Sequence, residues 1–315
     1  MTTRPDVLVI GAGVSGLTTA VCLAEAGLAV RVRSRDRLLA TTSCSAGAIW
    51  GPYLVADERI ADWSDQTRSA LGELAGRGGT GVRLVHGLEA ARVRMAPPGW
   101  AERVDGFRRA AARELPAGYA SGWWYTAPVV EMPTYLAYLA GRLVRAGGVI
   151  ELGRVASLAE AVRQAPVAVN CAGAGARELV PDPAVTPTRG QLVLVENPGV
   201  EHFFVEHGES SAPTYFLPQG EHVALGGSAE PGRTNLAPDP DLAVAIRGRC
   251  AAVEPALGSA RVLTHRVGLR PSRGRVRLER LPVGRGHVVH NYGHGGAGVT
   301  LSWGCAREVL RLVGG

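Results

Sequence analysis

Six residues near the N-terminus have the types and spacing to hold a phosphate. Gly11-Ala12-Gly13-Val14-Ser15-Gly16 fits the pattern G-x-G-x-x-G. The first glycine permits a tight turn and the second lets the backbone approach a pyrophosphate. The third allows close helix–strand packing, with the helix N-terminus facing the anion. Asp36 follows at the distance where an acid meets the ribose hydroxyls of a dinucleotide. Thr41-Thr42-Ser43 and Ala46-Gly47-Ala48 come next, and small hydroxyl and glycine residues suit close approach along an extended cofactor. This second grip favours FAD over NAD. The chain has no lysine, since all 34 basic residues are arginine. A pyridoxal phosphate enzyme needs a Schiff-base lysine and a Walker A loop needs a phosphate-binding one, so both are excluded.

The elements that must position these residues are legible around them. Val7-Leu8-Val9-Ile10 is a short apolar run ending in glycine and predicts a buried strand. Residues 15–26 read as a helix stopped by Gly27, and residues 29–32 begin a second strand. Strand, glycine turn, helix and strand open a doubly wound α/β domain. Between about 55 and 125 the texture turns Gly-, Pro- and Arg-rich, with short strands expected at 82–85 and 91–93. A helix is expected at 132–146 and a buried strand at 167–171. Residues 190–228 alternate apolar runs with turns, as an antiparallel sheet does, with strands at 191–195, 214–217 and 222–225. A late strand at 287–290 and a closing helix at 299–312 complete the reading. The expected architecture is a Rossmann-like FAD-binding domain of three segments, 1–54, 126–188 and 266–315. An inserted antiparallel-sheet substrate domain takes 55–125 and 189–265.

Bulk properties narrow the partners. The formal charge is +6, but the arginines are scattered without a dense run, so nucleic acid is not an expected partner. No apolar run reaches the ~18 residues of a membrane span, and no export signal is read at the N-terminus. Cys22, Cys44, Cys171, Cys250 and Cys305 form no Cys-x-x-Cys pair, which argues against a zinc site or a disulfide framework and for a reducing compartment. A cytoplasmic protein is expected. His290 and His294 are four apart, but the glycines between them argue against a metal-binding helix face, so no metal site is expected.

Two late segments are more specific. One is Val267-Gly268-Leu269-Arg270-Pro271-Ser272-Arg273. The other runs from His290-Asn291-Tyr292-Gly293-His294-Gly295-Gly296-Ala297-Gly298 through Val299-Thr300-Leu301-Ser302-Trp303-Gly304. With Ala46-Gly47-Ala48-Ile49-Trp50-Gly51-Pro52-Tyr53, Val169-Asn170-Cys171-Ala172-Gly173, Thr188-Arg189-Gly190-Gln191 and Tyr215-Phe216-Leu217-Pro218, the chain resembles the D-amino-acid oxidase and D-aspartate oxidase family. The blocks occur in the family's order and span nearly the whole chain.

The resemblance implies that FAD is held without a covalent bond. It places Gly11, Gly13, Val14, Ser15, Gly16, Arg35, Asp36, Thr41, Thr42, Ser43, Gly47, Ala48, Ile49 and Val155 on the cofactor, with Arg270, Gly295, Gly296, Gly298 and Thr300 near the flavin. A helix N-terminus at that loop would stabilise the anionic reduced flavin. On the substrate, the resemblance implies Arg270 as the carboxylate partner, through the two parallel hydrogen bonds a guanidinium offers. Tyr215 assists it, the Gly296 carbonyl receives the amine, and Ile49 and Gly51 line the pocket. The implied reaction is hydride transfer from a D-amino acid to FAD. Oxygen is the final acceptor, and the products are a 2-oxo acid, ammonia and hydrogen peroxide. The implied partners are a small D-amino acid and O2, with a homodimer allowed.

The sequence departs from the animal enzymes in three places. Their second tyrosine, on an active-site lid, has no counterpart in Val205-Glu206-His207-Gly208-Glu209-Ser210-Ser211-Ala212-Pro213. Gly51 replaces a larger polar side chain, and in Ser34-Arg35-Asp36 the acid falls one residue late. Rival readings are a D-aspartate oxidase or a glycine or secondary-amine oxidase. Those of another class are a nicotinamide-dependent dehydrogenase and a non-catalytic flavoprotein. An acidic substrate would want an extra cation near the lid, and there only His207 is suggestive.

Overall fold

The structure, a computed structural model, describes residues 4–52, 57–208 and 210–314. Tyr53, residue 54 at the first domain limit and Glu209 of the lid segment lie outside the described residues.

The chain opens with β1 (Val7–Ile10), α1 (Val14–Glu25), β2 (Val30–Ser34), α2 (Ile60–Ala75), β3 (Val82–Ala91), β4 (Arg108–Arg109) and β5 (Ser121–Val130). It continues through α3 (Met132–Arg145), β6 (Val149–Leu152), α4 (Leu158–Gln164), β7 (Val167–Asn170), α5 (Ala176–Leu179) and β8 (Thr186–Glu196). Then come β9 (Phe203–Glu206), β10 (Tyr215–Pro218), β11 (His222–Gly226), β12 (Glu230–Pro231) and α6 (Pro240–Val253). The chain closes with β13 (Val262–Ser272), β14 (Arg277–Val283), β15 (Gly286–Tyr292) and α7 (Gly298–Gly314).

The first sheet has the order β14-β15-β7-β1-β2-β6. It is parallel from β15 to β6, and β14 returns antiparallel to β15. All four residues of β1 are buried, as a strand covered by helices on both faces requires. From β1 the chain steps outward through β2 and reaches β6, then crosses back to β7 and β15. The direction therefore reverses beside β1, and the carboxyl ends of β1 and β7 open a crevice there, the usual ligand position in such sheets.

The second sheet runs β12-β8-β11-β10-β9-β3-β5-β4, with β13 on the other edge of β8. It is antiparallel except where β3 lies parallel to β9, so the inserted sheet is mixed rather than purely antiparallel. Two short strands expected at 82–85 and 91–93 are one strand, β3, pairing with β5 along its whole length and ending before Arg92. The helices α2 and α6 are additions to the sequence reading. α2 buries Trp63, Thr67, Leu71 and Leu74 along one face. α6 starts where the Asp239 side chain accepts from Leu242 N at 3.1 Å, with Pro240 in the first turn.

Candidate active site

A cavity of about 760 Å³ runs along the carboxyl ends of β1, β2, β7 and β15 and reaches the face of the second sheet. That volume falls within the range of about 300–1,000 Å³ typical of ligand sites. Its walls include Gly11, Gly13, Val14, Ser15, Arg35, Asp36, Thr41, Thr42, Ser43, Gly47, Ala48, Ile49 and Val155 from the N-terminal half. Tyr215, Arg270, Gly295, Gly296, Gly298 and Thr300 join them from the C-terminal half. Gly16 and Gly51 stand behind those walls.

The glycine turn is built for close approach. Gly11 has φ +104°, and a Cβ there would come within 2.5 Å of the Cys171 carbonyl oxygen. A Cβ at Gly16 would overlap the Gly11 carbonyl, so the third glycine lets the helix pack on the turn. At Gly13 a side chain would meet Ser43 Oγ at 3.0 Å. Gly13 is the N-cap of α1 and offers no capping side chain; Ser43 Oγ instead accepts from Val14 N at 2.9 Å. Ser15, next in the first turn, lines the cleft, and an N–H there has no carbonyl of its own helix to meet, as an anion site requires. Asp36 and Arg35 pair with each other at 3.1 Å at the far end.

The 291–300 segment forms the opposite wall. Gly293 and Gly295 have φ of +86° and +53°, conformations that favour glycine. Gly295 N donates to Pro271 O at 3.0 Å, tying this loop to the end of β13. Thr300 Oγ1 lies 3.2 Å from both the N–H and the carbonyl of Gly51. Gly51 therefore anchors the start of α7 through its backbone. Asn291 Oδ1 and His294 Nε2 are buried on this wall with no protein partner among the described residues. Burial pushes the His294 imidazole down to about 4, so it is neutral at physiological pH. His290 is also held near 4 by burial, and its Nδ1 is 3.3 Å from Asn170 Nδ2.

These features fit FAD. The cleft has a glycine turn no side chain could occupy, two helix starts, unpaired polar atoms, and room continuing past Thr41-Thr42-Ser43 to the second sheet.

At the sheet end, Arg270 from β13 and Tyr215 from β10 converge. Arg270 Nη1 donates to Ser228 O at 2.8 Å, which ties the guanidinium to the turn after β11. Burial raises the Tyr215 phenol above its usual range, while the Arg270 guanidinium beside it and a hydrogen bond between the two side chains pull it back. The pair is thus a neutral phenol and a fixed cation facing one space.

The sequence reading passed over Glu89. It is 1 % exposed, yet it lies on the cavity wall. Its carboxylate takes the Tyr125 hydroxyl at 2.8 Å and His207 Nδ1 at 2.5 Å. Glu89 on β3 is in register with Val205 on β9, which is in register with Tyr215 on β10. Its sequence signal is one acid within a strand pattern, which cannot be told from a solvent-facing residue until β9 is placed. His207 reaches the pocket, but its Nδ1 is committed to Glu89. Residues 210–214 are pinned to the second sheet, with Pro213 O accepting from Gly227 N at 2.6 Å and Ser211 O from Ala229 N at 2.8 Å.

Comparison with known proteins places the chain in a family. A 51 % identical relative from Rubrobacter xylanophilus, covering 98 % of this chain and 95 % of its own, is named D-amino-acid oxidase. Another from Streptomyces coelicolor, 51 % identical over 98 % of this chain and 96 % of its own, has the same name. Among solved structures, glycine oxidase from Geobacillus kaustophilus superposes with a TM-score of 0.82 at 19 % identity, covering 99 % of this chain and 95 % of that one. That likeness speaks for the fold. The family described as FAD dependent oxidoreductase, of the DAO type, matches residues 6–312. With its glycine turn, paired helix starts and convergent Arg270 and Tyr215, this chain belongs to that family of FAD-dependent oxidoreductases.

Proposed function

We propose that the chain oxidises D-amino acids to 2-oxo acids, ammonia and hydrogen peroxide, with O2 as the electron acceptor. One observation carries this reading: Arg270 and Tyr215 meet at the end of the same cleft whose other walls are the dinucleotide turn and the glycine loop before α7. The names of the 51 % identical relatives support it.

FAD, when bound, supplies the two-electron acceptor for oxidation of the Cα–H bond and passes the electrons to O2. The chain's own residues position the substrate. Arg270 holds the carboxylate through two N–H groups, and its bond to Ser228 O keeps the guanidinium plane fixed. The Tyr215 hydroxyl donates to the same carboxylate. The Gly296 carbonyl accepts from the neutral amine. With the carboxylate and the amine both held, only one enantiomer directs its hydrogen at the cofactor, and orientation supplies most of the rate. Ile49 borders the side-chain space. An acidic side chain would need a second cation there, and His207 is already engaged by Glu89, which favours neutral substrates over the D-aspartate reading.

We assign segments 1–54, 126–188 and 266–315 to FAD and 55–125 and 189–265 to the substrate. β5, β8 and β13 cross those limits and form the seam. No helix among the described residues is long and apolar enough to cross a membrane. All five cysteines are free thiols, which supports a reducing compartment, the cytoplasm.

The test is anaerobic mixing of the yellow holoenzyme with D-alanine, a bulkier neutral D-amino acid and their L-enantiomers. The D-forms are expected to bleach the flavin and the L-forms to leave it oxidised. Equal bleaching by both hands would sink the assignment.

A further inference from the structure

We infer that Gly190 and Gly226 are positioning residues of the carboxylate clamp, because they clear the strip of sheet across which Arg270 and Tyr215 must lie in order to meet. The inference rests on the reading of those two side chains as the clamp.

The two residues start far apart. Tyr215 is on β10 and Arg270 on β13, with β11 and β8 between them. Three strand spacings of about 4.8 Å separate those backbones by roughly 14 Å. Side chains standing upright on the sheet would not touch across that gap. To converge, each must lie down over the strand beside it. Register decides what they lie on. Tyr215 is opposite Gly226 on β11. Gly226 is opposite Leu192 on β8, and Gly190 lies two residues along β8 on the same face. On the other edge of β8, Gly190 is opposite Gly268 and Thr188 is opposite Arg270. Both glycines therefore sit on the face that carries the clamp, between its two members.

A side chain at either position would collide with the clamp. A Cβ at Gly226 would fall inside the Tyr215 ring, and one at Gly227 would come within 3.0 Å of the ring and hydroxyl. A Cβ at Gly190 would lie 2.5 Å from Arg270 Nη1 and 2.7 Å from its Cζ and Nη2. Neither Gly190 nor Gly226 has a positive φ, so backbone freedom is not what these positions need. They need the missing side chain. The strip is also held from below. Ser228, whose carbonyl receives Arg270, accepts Gln191 N on its Oγ at 3.0 Å. The fully buried Arg189 ties Glu230, Asn235 O and Ala237 O to β8. The floor cannot easily drop away if a methyl group is added above it.

The test is a pair of double-mutant cycles on holoenzyme, Gly226→Ala with Tyr215→Ala and Gly190→Ala with Arg270→Ala. Four quantities are read: kcat and KM on a neutral D-amino acid, turnover of the corresponding amine lacking the carboxylate, Tm, and the Kd of a carboxylate ligand without an amine, from the flavin absorbance. Each glycine variant alone is expected to lower kcat/KM on the amino acid by about tenfold or more. Its carboxylate affinity should fall in parallel, and amine turnover should change far less. In the background lacking the clamp side chain, the glycine change should cost no more than about twofold. If a single glycine variant fails to fold, its double variant should fold, because the overlap is gone; failure of the double overturns the inference. If Arg270→Ala and Tyr215→Ala impair turnover while both glycine variants are silent or fully additive, this inference fails and the clamp stands. If Arg270→Ala is itself silent on the amino acid, the clamp reading fails and takes the inference with it.

Discussion

Arg270 carries more of the proposed chemistry than any other residue, and its surroundings set what replacing it should do. Arg270→Ala removes the planar fork and the charge proposed to meet the substrate carboxylate, while the glycine turn and the Thr41-Thr42-Ser43 segment are untouched. A loss of roughly 10²-fold or more in kcat/KM is expected, with KM raised, kcat lowered and flavin retained. Steady-state kinetics on a D-amino acid read this directly; near-normal kcat/KM would move the carboxylate elsewhere. Arg270→Lys should recover little, because an ammonium cannot span both carboxylate oxygens and also keep the bond to Ser228 O. Tyr215→Phe removes one hydrogen bond and no charge, so about 1–2 kcal/mol is expected, mostly in binding. Arg273 and Arg277, the two arginines that would be considered if the carboxylate were held elsewhere, are poor substitutes for Arg270. Arg273 Nε is 3.1 Å from Asp182, and Arg277 is bound to Glu279 and the Tyr292 hydroxyl.

Among the elements, α1 and α7 do the most to shape the cleft, and each depends on glycine for a packing reason. At Gly304 in α7 a Cβ would overlap the Trp63 backbone in α2. The helices touch closely enough for Thr67 Oγ1 to accept from Trp303 N at 3.2 Å and Gly304 N at 3.1 Å. Trp63 Nε1 also donates to Glu308 at 2.8 Å across the same crossing. Gly304→Ala should push the helices apart and destabilise the protein by about 1–3 kcal/mol. Thermal or urea unfolding measures this, and an unchanged midpoint would refute the packing argument. The same shift moves the start of α7 at the flavin wall, so FAD affinity should weaken with it. Helix α1 was legible because its apolar spacing and Gly27 stop were both present. By contrast, α2 is amphipathic but sits in an Arg- and Gly-rich stretch without a capping side chain. The real length of β3 depended on a ten-residue partner, β5, which no local pattern announces.

For the molecule as a whole, buried histidines predict the direction of acid sensitivity. His294 is 3 % exposed and burial lowers it from 6.5 to about 4. Below about 6.5 the unfolded chain takes a proton that the native state refuses, so stability rises with pH across that window. It is full above about 6.5 and falls progressively towards about 4, where this one group has withdrawn about 3 kcal/mol. His290 acts in the same direction. Denaturation midpoints between pH 7 and 4 should fall accordingly, and His294→Asn should flatten the slope; a pH-independent midpoint would contradict it. The cofactor gives a second check. No cysteine offers a reactive thiolate for a flavin linkage, since all five thiols are pushed up by burial. Acid precipitation should leave the yellow colour in the supernatant, and colour on the pellet would mean a covalent bond.

What the sequence determined by itself was the part written in local rules. The dinucleotide turn, its strand and helix, the second grip at Thr41-Thr42-Ser43 and the loop at 293–300 all follow from glycine spacing, period and order along the chain. Those segments stand next to each other in sequence or recur in a known order, so their chemistry needs no distant partner to be read. Tertiary structure decided everything that depends on one strand lying beside another. It showed that Glu89 faces the pocket and holds His207, and that Gly51 anchors Thr300 by its backbone. It also put Gly190 against the Arg270 guanidinium and Gly226 against the Tyr215 ring. Glycine inside a strand pattern is a signal of close approach, but what approaches it is fixed by register. A one-residue slip would turn every one of these side chains to the opposite face. Register comes from the pairing of β8, β10, β11 and β13, whose partners are as far apart in the chain as Ser272 and Thr186. No window along the chain contains that information.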